Sequence, residues 1–307
     1  MTGQALVRPL MMGNKTMKRF CAAVLFFLGT LASFGQIDVR CLLENEETLV
    51  YEPVRLTFQI INNTGADLVF QGTNANAVLD FEVVLSPGEQ QVRRTRETLF
   101  PQGLTIPSRK TVVRMIDLLG SYDLRKEGPY RIKTRVTWNG TEYLSPKVLL
   151  DITPGSEIDR FAAGVPGGGG LRTCTLRIQR RERTEHLFLR IDDEEQGQCL
   201  GVYDLGQLVR LYKPRMQMDA EGNIHVLHQS GPWRYTHSVF GPNGVPVSHK
   251  FHTPDSNDVS FSETSDGTLE IKGVGTYDGG PDIPPSDRNP QNVPEDSTKP
   301  VDEPSDS

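Results

Sequence analysis

The chain is poor in cysteine, tryptophan and histidine, and it has no second long apolar run. Of 307 residues, 4 are Cys, 2 are Trp and 6 are His. Past the N-terminal region no stretch is apolar enough to span a bilayer as a helix, so no membrane span is expected once that region is removed. No Gly-x-Ser-x-Gly elbow occurs and no Cys sits in a catalytic context, so the common signs of nucleophilic catalysis are missing. The net charge is −6, with Lys and Arg dispersed among acids. No nucleic-acid partner is therefore expected. The densest basic group, Arg93, Arg94 and Arg96, falls between strands and reads as a solvated loop.

What the chain does have is alternation. In Tyr130-Arg131-Ile132-Lys133-Thr134-Arg135-Val136-Thr137-Trp138, apolar side chains recur at every second position. Successive side chains of a strand point to opposite faces, so this segment has one dry and one wet face. That pattern belongs to an antiparallel sheet in a sandwich. Val54, Leu56, Phe58 and Ile60 alternate in the same way, and Asn62-Asn63-Thr64-Gly65 reads as the turn of a hairpin whose partner is residues 68–70. Asn139-Gly140 joins the strand ending at Trp138 to one starting at Thr141. Further candidates are residues 37–43, 79–85, 111–117 and 142–152. About seven strands and no helix predict a two-sheet sandwich over 37–153.

Both ends stand outside that fold. Lys18-Arg19 precedes the apolar run Phe20 to Leu28, which leads to the small residues Ser33 and Gly35. A basic region, an apolar region and a small-residue site predict a secretory signal, cleaved after Gly35. Residues 1–35 then comprise an upstream extension and this signal, with Met17 as a candidate start. A retained anchor is the alternative, but the run is shorter than the ~20 residues a helix needs to span. The expected location is secreted or periplasmic. Residues 278–307 are rich in Pro, Asp, Glu and Ser and read as a disordered acidic tail.

Leu124-Arg125-Lys126-Glu127-Gly128-Pro129-Tyr130-Arg131-Ile132 resembles the L-x-x-x-G-x-Y-x-[IV] entry to a late strand of immunoglobulin-like domains. The opening Leu49-Val50-Tyr51-Glu52-Pro53-Val54 is similar to the start of bacterial extracellular domains of that type. The resemblance covers about the first third of the chain and concerns architecture. It implies that Tyr130, entered through Gly128, locks a corner by bonding its hydroxyl to upstream backbone. The paired cysteines of antibody domains are absent.

Residues 154–170, with Gly167-Gly168-Gly169-Gly170, read as a linker. No Gly-Lys-Ser/Thr follows, so the glycines are no phosphate loop. Over 171–277, Gly222, Gly244 and Gly267 recur about every 22 residues, each closing a polar turn before an alternating run. This predicts a β-hairpin-repeat domain, either a meander or a propeller-like sheet. Cys174 and Cys199 form a candidate disulfide of the second domain; it would contribute about 3 kcal/mol.

All six histidines lie in the second domain. His225 and His228 have a metal-like spacing, but on a strand they point to opposite faces. Trp233, Tyr235 and His237 share a strand face, and with His225 they are the candidate binding residues, for a protein or glycan partner. The competing reading of that face is core. Asp192-Asp193-Glu194-Glu195 reads as a solvated turn. No catalytic residue, metal or cofactor is assigned. The leading function is a non-enzymatic binding or structural module of the bacterial cell envelope. The alternatives are a protease-inhibitor-like module with residues 87–110 as its loop, and a metal-dependent hydrolase requiring His225, His237 or His249 to converge with an acid.

Overall fold

Strand alternation carries through to the computed structural model, which describes residues 36–96, 99, 103–277 and 279. The expected signal and nearly all of the acidic tail lie outside the described residues. The first eleven strands are β1 (Ile37–Leu43), β2 (Glu47–Leu49), β3 (Arg55–Asn62), β4 (Leu68–Val69), β5 (Ala77–Leu85), β6 (Gln90–Gln91), β7 (Thr105–Ile106), β8 (Thr111–Asp117), β9 (Gly128–Trp138), β10 (Thr141–Leu144) and β11 (Val148–Thr153). The rest are β12 (Ser156–Gly164), β13 (Leu171–Arg181), β14 (Thr184–Asp193), β15 (Gln198–Gln207), β16 (Arg215–Met218), β17 (Ile224–Gly231), β18 (Arg234–Phe240), β19 (Pro246–Pro254), β20 (Ser260–Glu263), β21 (Leu269–Lys272) and β22 (Val274–Thr276). The protein is all-β among the described residues, and none of them forms a helix able to cross a membrane.

In the first domain a sheet of order β1-β3-β8 faces a sheet of order β2-β11-β9-β5-β6, to which β10 adds through β9. Leu56, Phe58 and Ile60 of β3 meet Phe81 and Val83 of β5 and Tyr130, Ile132 and Val136 of β9, all buried. Each such side chain contributes about 1.5–3 kcal/mol by leaving water. Asn139 and Gly140 both take positive φ, 49° and 75°, as a two-residue hairpin turn between β9 and β10 demands. The Tyr130 hydroxyl donates to the Lys126 carbonyl at 2.7 Å. Gly128 has φ 128°, where a side chain would be strained, and an added Cβ would sit 3.2 Å from Leu85.

Two local expectations fail. Residues 68–70 do not pair with β3. β3 is sandwiched between β1 and β8, and β4 pairs β7 instead. The Asn62 amide donates to the carbonyls of Ala66 and Ile106, so it ties the turn to β7 rather than closing a tight hairpin. The expected linker is also largely a strand, because β12 pairs with β13 from Ser156↔Ile178 to Gly164↔Leu171. The turn of this segment is at 166–168, and β13 consumes the hydrogen-bonding groups that a free linker would leave to water.

Beyond residue 155 the strands follow one another as antiparallel neighbours. One sheet has order β12-β13-β14-β15, the next β16-β17-β18-β19-β22, and β20-β21 form a separate hairpin. Gly222, Gly244 and Gly267 take φ of 86°, 78° and 82° in the turns before β17, β19 and β21. The register sorts the faces. Cys174, Leu176, Ile178, Leu187, Leu189 and Ile191 point one way from their sheet and meet Ile224, Val226 and Phe240 of the next. The opposite face of β17 and β18 carries Leu227 and Tyr235, which pack under Val259, Phe261 and Ile271 of the β20–β21 region.

The outer face of β14 and β15 receives the first domain. Leu49 and Tyr51 pack with Phe188, Val202 and Cys199. Both Glu52 carboxylate oxygens accept from the Arg181 guanidinium at 2.5 Å, and Glu52 Oε2 also accepts the Leu49 N–H at 2.9 Å. Arg181 in turn lies over the Phe188 ring, 4.6 Å from its centroid. Arg190 covers the Tyr51 ring at 5.0 Å. Tyr51 holds φ 71°, a costly conformation for an aromatic residue, kept in place by these contacts.

Candidate functional site

Strand register in the β17–β19 sheet decides which histidines meet. His225 lies opposite Val239, His237 opposite Leu227 and Lys250, and His252 opposite Tyr235. Directly opposed residues share a face, so His225, His237 and His252 stand on the face beneath the β20–β21 hairpin. His228 pairs with Thr236 and His249 with Ser238, which places both on the other face.

On the first face the groups form a chain. His225 Nε2 lies 3.0 Å from Asp219 Oδ2, and His225 Nδ1 lies 3.1 Å from His237 Nε2. A carboxylate can only accept, so His225 donates from Nε2. In its neutral form its Nδ1 then accepts the His237 Nε2–H, which fixes both tautomers. Asp219 also accepts the N–H groups of Glu221 and Asn223 and the Asn223 amide. Burial raises its pKa, but the hydrogen bonds from Asn223 and His225 outweigh this and hold the carboxyl below its ordinary value. Burial lowers His237 to about 4, helped by His225, His252 and Lys250. Phe261 meets the His225 and His237 rings edge-on, with centroids 6.1 and 5.8 Å away. Asp219 and His225 are satisfied within this seam under the hairpin, whereas His252, on the same face, has a buried Nε2 outside the chain of bonds.

His249 is not part of it. Its Nδ1 lies 2.9 Å from Ser238 Oγ on the opposite face, so of the three histidines named for a hydrolase only His225 and His237 meet an acid. An acid does join His225 and His237, yet among the described residues no group of three or more His, Cys, Asp or Glu is placed to hold a metal.

The expected aromatic stripe is also divided. β18 begins at Arg234, so Trp233 sits in the preceding turn at 39% exposure, while Tyr235 is buried against Val259. Tyr235 and His237 do share a face, but that face is covered by the β20–β21 hairpin. Cys174 and Cys199 are both free thiols. Cys174 lies opposite Ile191 and Cys199 opposite Asp192, so they leave opposite faces of one sheet and cannot meet. Residues 87–110 carry β6 and β7, and the middle of that segment, at 97, 98 and 100–102, lies outside the described residues.

Sequence reasoning missed the open cleft of this domain. β16 stops pairing at Arg215↔Leu227, whereas β17 runs on to Gly231. Beyond it Val209 N–H donates to the Gln229 carbonyl, and between these two points β17 forms one wall of a cleft of about 510 Å³, reached by β12, by residues 212–214 and by the segment before β20. His228, 1% exposed, lines it, with both ring nitrogens buried away from solvent and the Gln207 main chain beside them. Burial lowers its pKa to about 4, opposed by hydrogen bonding to the Gln207 main chain. Gln229 lines it too; its amide donates to the Pro232 carbonyl, but its Oε1 is buried without a partner. The sequence signal was weak: a short strand beside a longer one.

No protein-family model matches the chain, and no curated protein matches it.

Proposed function

We propose that the chain is an exported, non-enzymatic binding module of a bacterial cell envelope, in which an immunoglobulin-like first domain supports a binding second domain. Export is supported by Lys18-Arg19 and the apolar run that follows. Two facing sheets and the Tyr130–Lys126 bond support the immunoglobulin-like reading. The observation that carries the proposal is the joint: Leu49, Tyr51 and Glu52 lock onto Phe188, Arg190 and Arg181. Such a joint suits a support that presents its neighbour in a fixed pose. It leaves the cleft at residues 212–229, lined from other strands, uncovered. In the seam of Asp219, His225 and His237 both ring nitrogens of His225 are bonded within the protein, which fits a binding protein.

The test is co-sedimentation of the mature protein, starting at Gln36, with washed cell envelopes. Saturable retention is expected. A protein that stays in the supernatant, or one that turns over an added envelope component, sinks the reading. N-terminal sequencing of the exported form checks the cleavage after Gly35.

A further inference from the structure

β15 ends its sheet. Among the described residues no main-chain hydrogen bond joins residues 198–205 to any main chain but that of β14. An open edge is a template for one more strand, and proteins commonly blunt it with charge. The edge strand β8 carries Arg114 and Asp117, and the edge strand β12 carries Glu157, Asp159 and Arg160. Between Gln198 and Tyr203, β15 carries no charged side chain. Gly201 lacks a side chain and is half-buried, so its main chain reaches solvent, beside the Cys199 thiol. Bulges flank the stretch Gly201 to Asp204, which pairs regularly with Ile191 to Phe188 of β14, so a new strand has about four residues to follow.

The first domain supplies a second wall. A groove of about 400 Å³ runs along residues 197–203 and is completed by Tyr51, Pro53, Leu119 and Arg125. Leu119 and Leu200 offer apolar surface to a side chain. Arg125 is the one charged residue of the lining, and among the described residues no carboxylate lines it. The Arg125 side chain is 65% exposed, and its ion-pair partner Asp123, 3.7 Å away, is exposed as well. An acid arriving from outside therefore finds a cation whose own pairing is weak. Main chain in extended form offers N–H and C=O groups at the spacing of a strand edge, which other ligands do not.

We propose that this groove takes an extended peptide of a partner protein as an added strand on β15, with an apolar side chain set toward Leu119 and Leu200 and an acidic one toward Arg125. The proposal gives the binding reading above a partner class and rests on it.

The test selects from a phage-displayed library of random peptides on the full mature chain, and the most enriched peptides are synthesised. Enriched sequences should combine apolar residues with an acid, and their binding should shift the amide NMR signals of residues 201–204 saturably. N-methylation of one peptide amide at a time should weaken binding about tenfold at alternate positions, as the loss of a main-chain bond implies. Arg125→Ala, in an exposed side chain, should leave the melting temperature unchanged and weaken binding about threefold. The proposal is overturned if no peptide is enriched, if the enriched peptides leave residues 201–204 unmoved, if N-methylation acts without alternation, or if Arg125→Ala binds like the parent. Failure here with envelope co-sedimentation intact removes the groove alone. A peptide that is cut on binding keeps the groove and removes the non-enzymatic reading.

Discussion

His228 makes the stability of this protein depend on pH in a way that can be worked out. Its folded pKa is about 4, lowered mainly by burial, against 6.5 for a free imidazole. Between those values the unfolded chain binds a proton that the folded chain refuses. Stability from this residue is therefore fully present above pH 6.5 and lost as pH falls toward about 4. A tenfold difference in proton affinity between the two states is worth about 1.4 kcal/mol, so from about pH 7 to about pH 4.5 the loss is about 2.5 kcal/mol. His237, His249 and His252 are also depressed and act with the same sign.

The comparison that isolates His228 is His228→Phe. Phenylalanine has a similar shape and no polar atom to leave unsatisfied, so its cost at neutral pH should be small, within about 1 kcal/mol in either direction. Urea unfolding of both proteins at about pH 7 and about pH 4.5 gives the answer by difference. The parent should lose about 2.5 kcal/mol more than the variant on acidification. Equal losses would refute the claim that His228 is buried and neutral. A large cost of His228→Phe at neutral pH would mean instead that its nitrogens have partners in solution.

The joint between the domains gives a second prediction. Burial raises the pKa of Glu52 against the pull of Arg181, yet the two side chains still satisfy each other. Glu52→Ala leaves Arg181 buried with less compensation and should cost about 3–5 kcal/mol, while Glu52→Leu combined with Arg181→Met should cost much less; similar costs for the two sink the argument. Burial pushes the Cys174 thiol up to about 12 and Cys199 up to about 11, so neither should react with a thiol reagent until the protein unfolds. Rapid labelling of Cys174, or a mass showing a Cys174–Cys199 bridge, contradicts the strand register. Tyr130→Phe removes the bond to Lys126 while keeping the ring buried, and should cost about 1 kcal/mol in unfolding free energy; no loss would mean the corner bond contributes nothing.

What could be read in the chain was what one strand decides by itself. The faces of residues 55–62 and 128–138 follow from period two, and the Asn139-Gly140 turn follows from its need for positive φ. Gly222, Gly244 and Gly267 were legible for the same local reason. What could not be read was decided between strands. β12 alternates weakly, with every residue exposed or half-buried, and becomes a strand because β13 offers it an edge. His225 and His237 are twelve residues apart and meet only because β17 and β18 pair in a register that no single-strand pattern specifies. That register also separates His228 from them.

The seam and the cleft thus arise from one geometric rule with opposite results. On the covered face of β17, His225 finds an acid and a second imidazole, and its polar atoms are satisfied inside the protein. At the other face, three positions along, His228 passes the point where β16 ends, and its nitrogens are buried beside the Gln207 main chain. An unsatisfied buried imidazole costs stability, which an apolar residue of the same shape would restore. The two histidines differ by the company their faces keep.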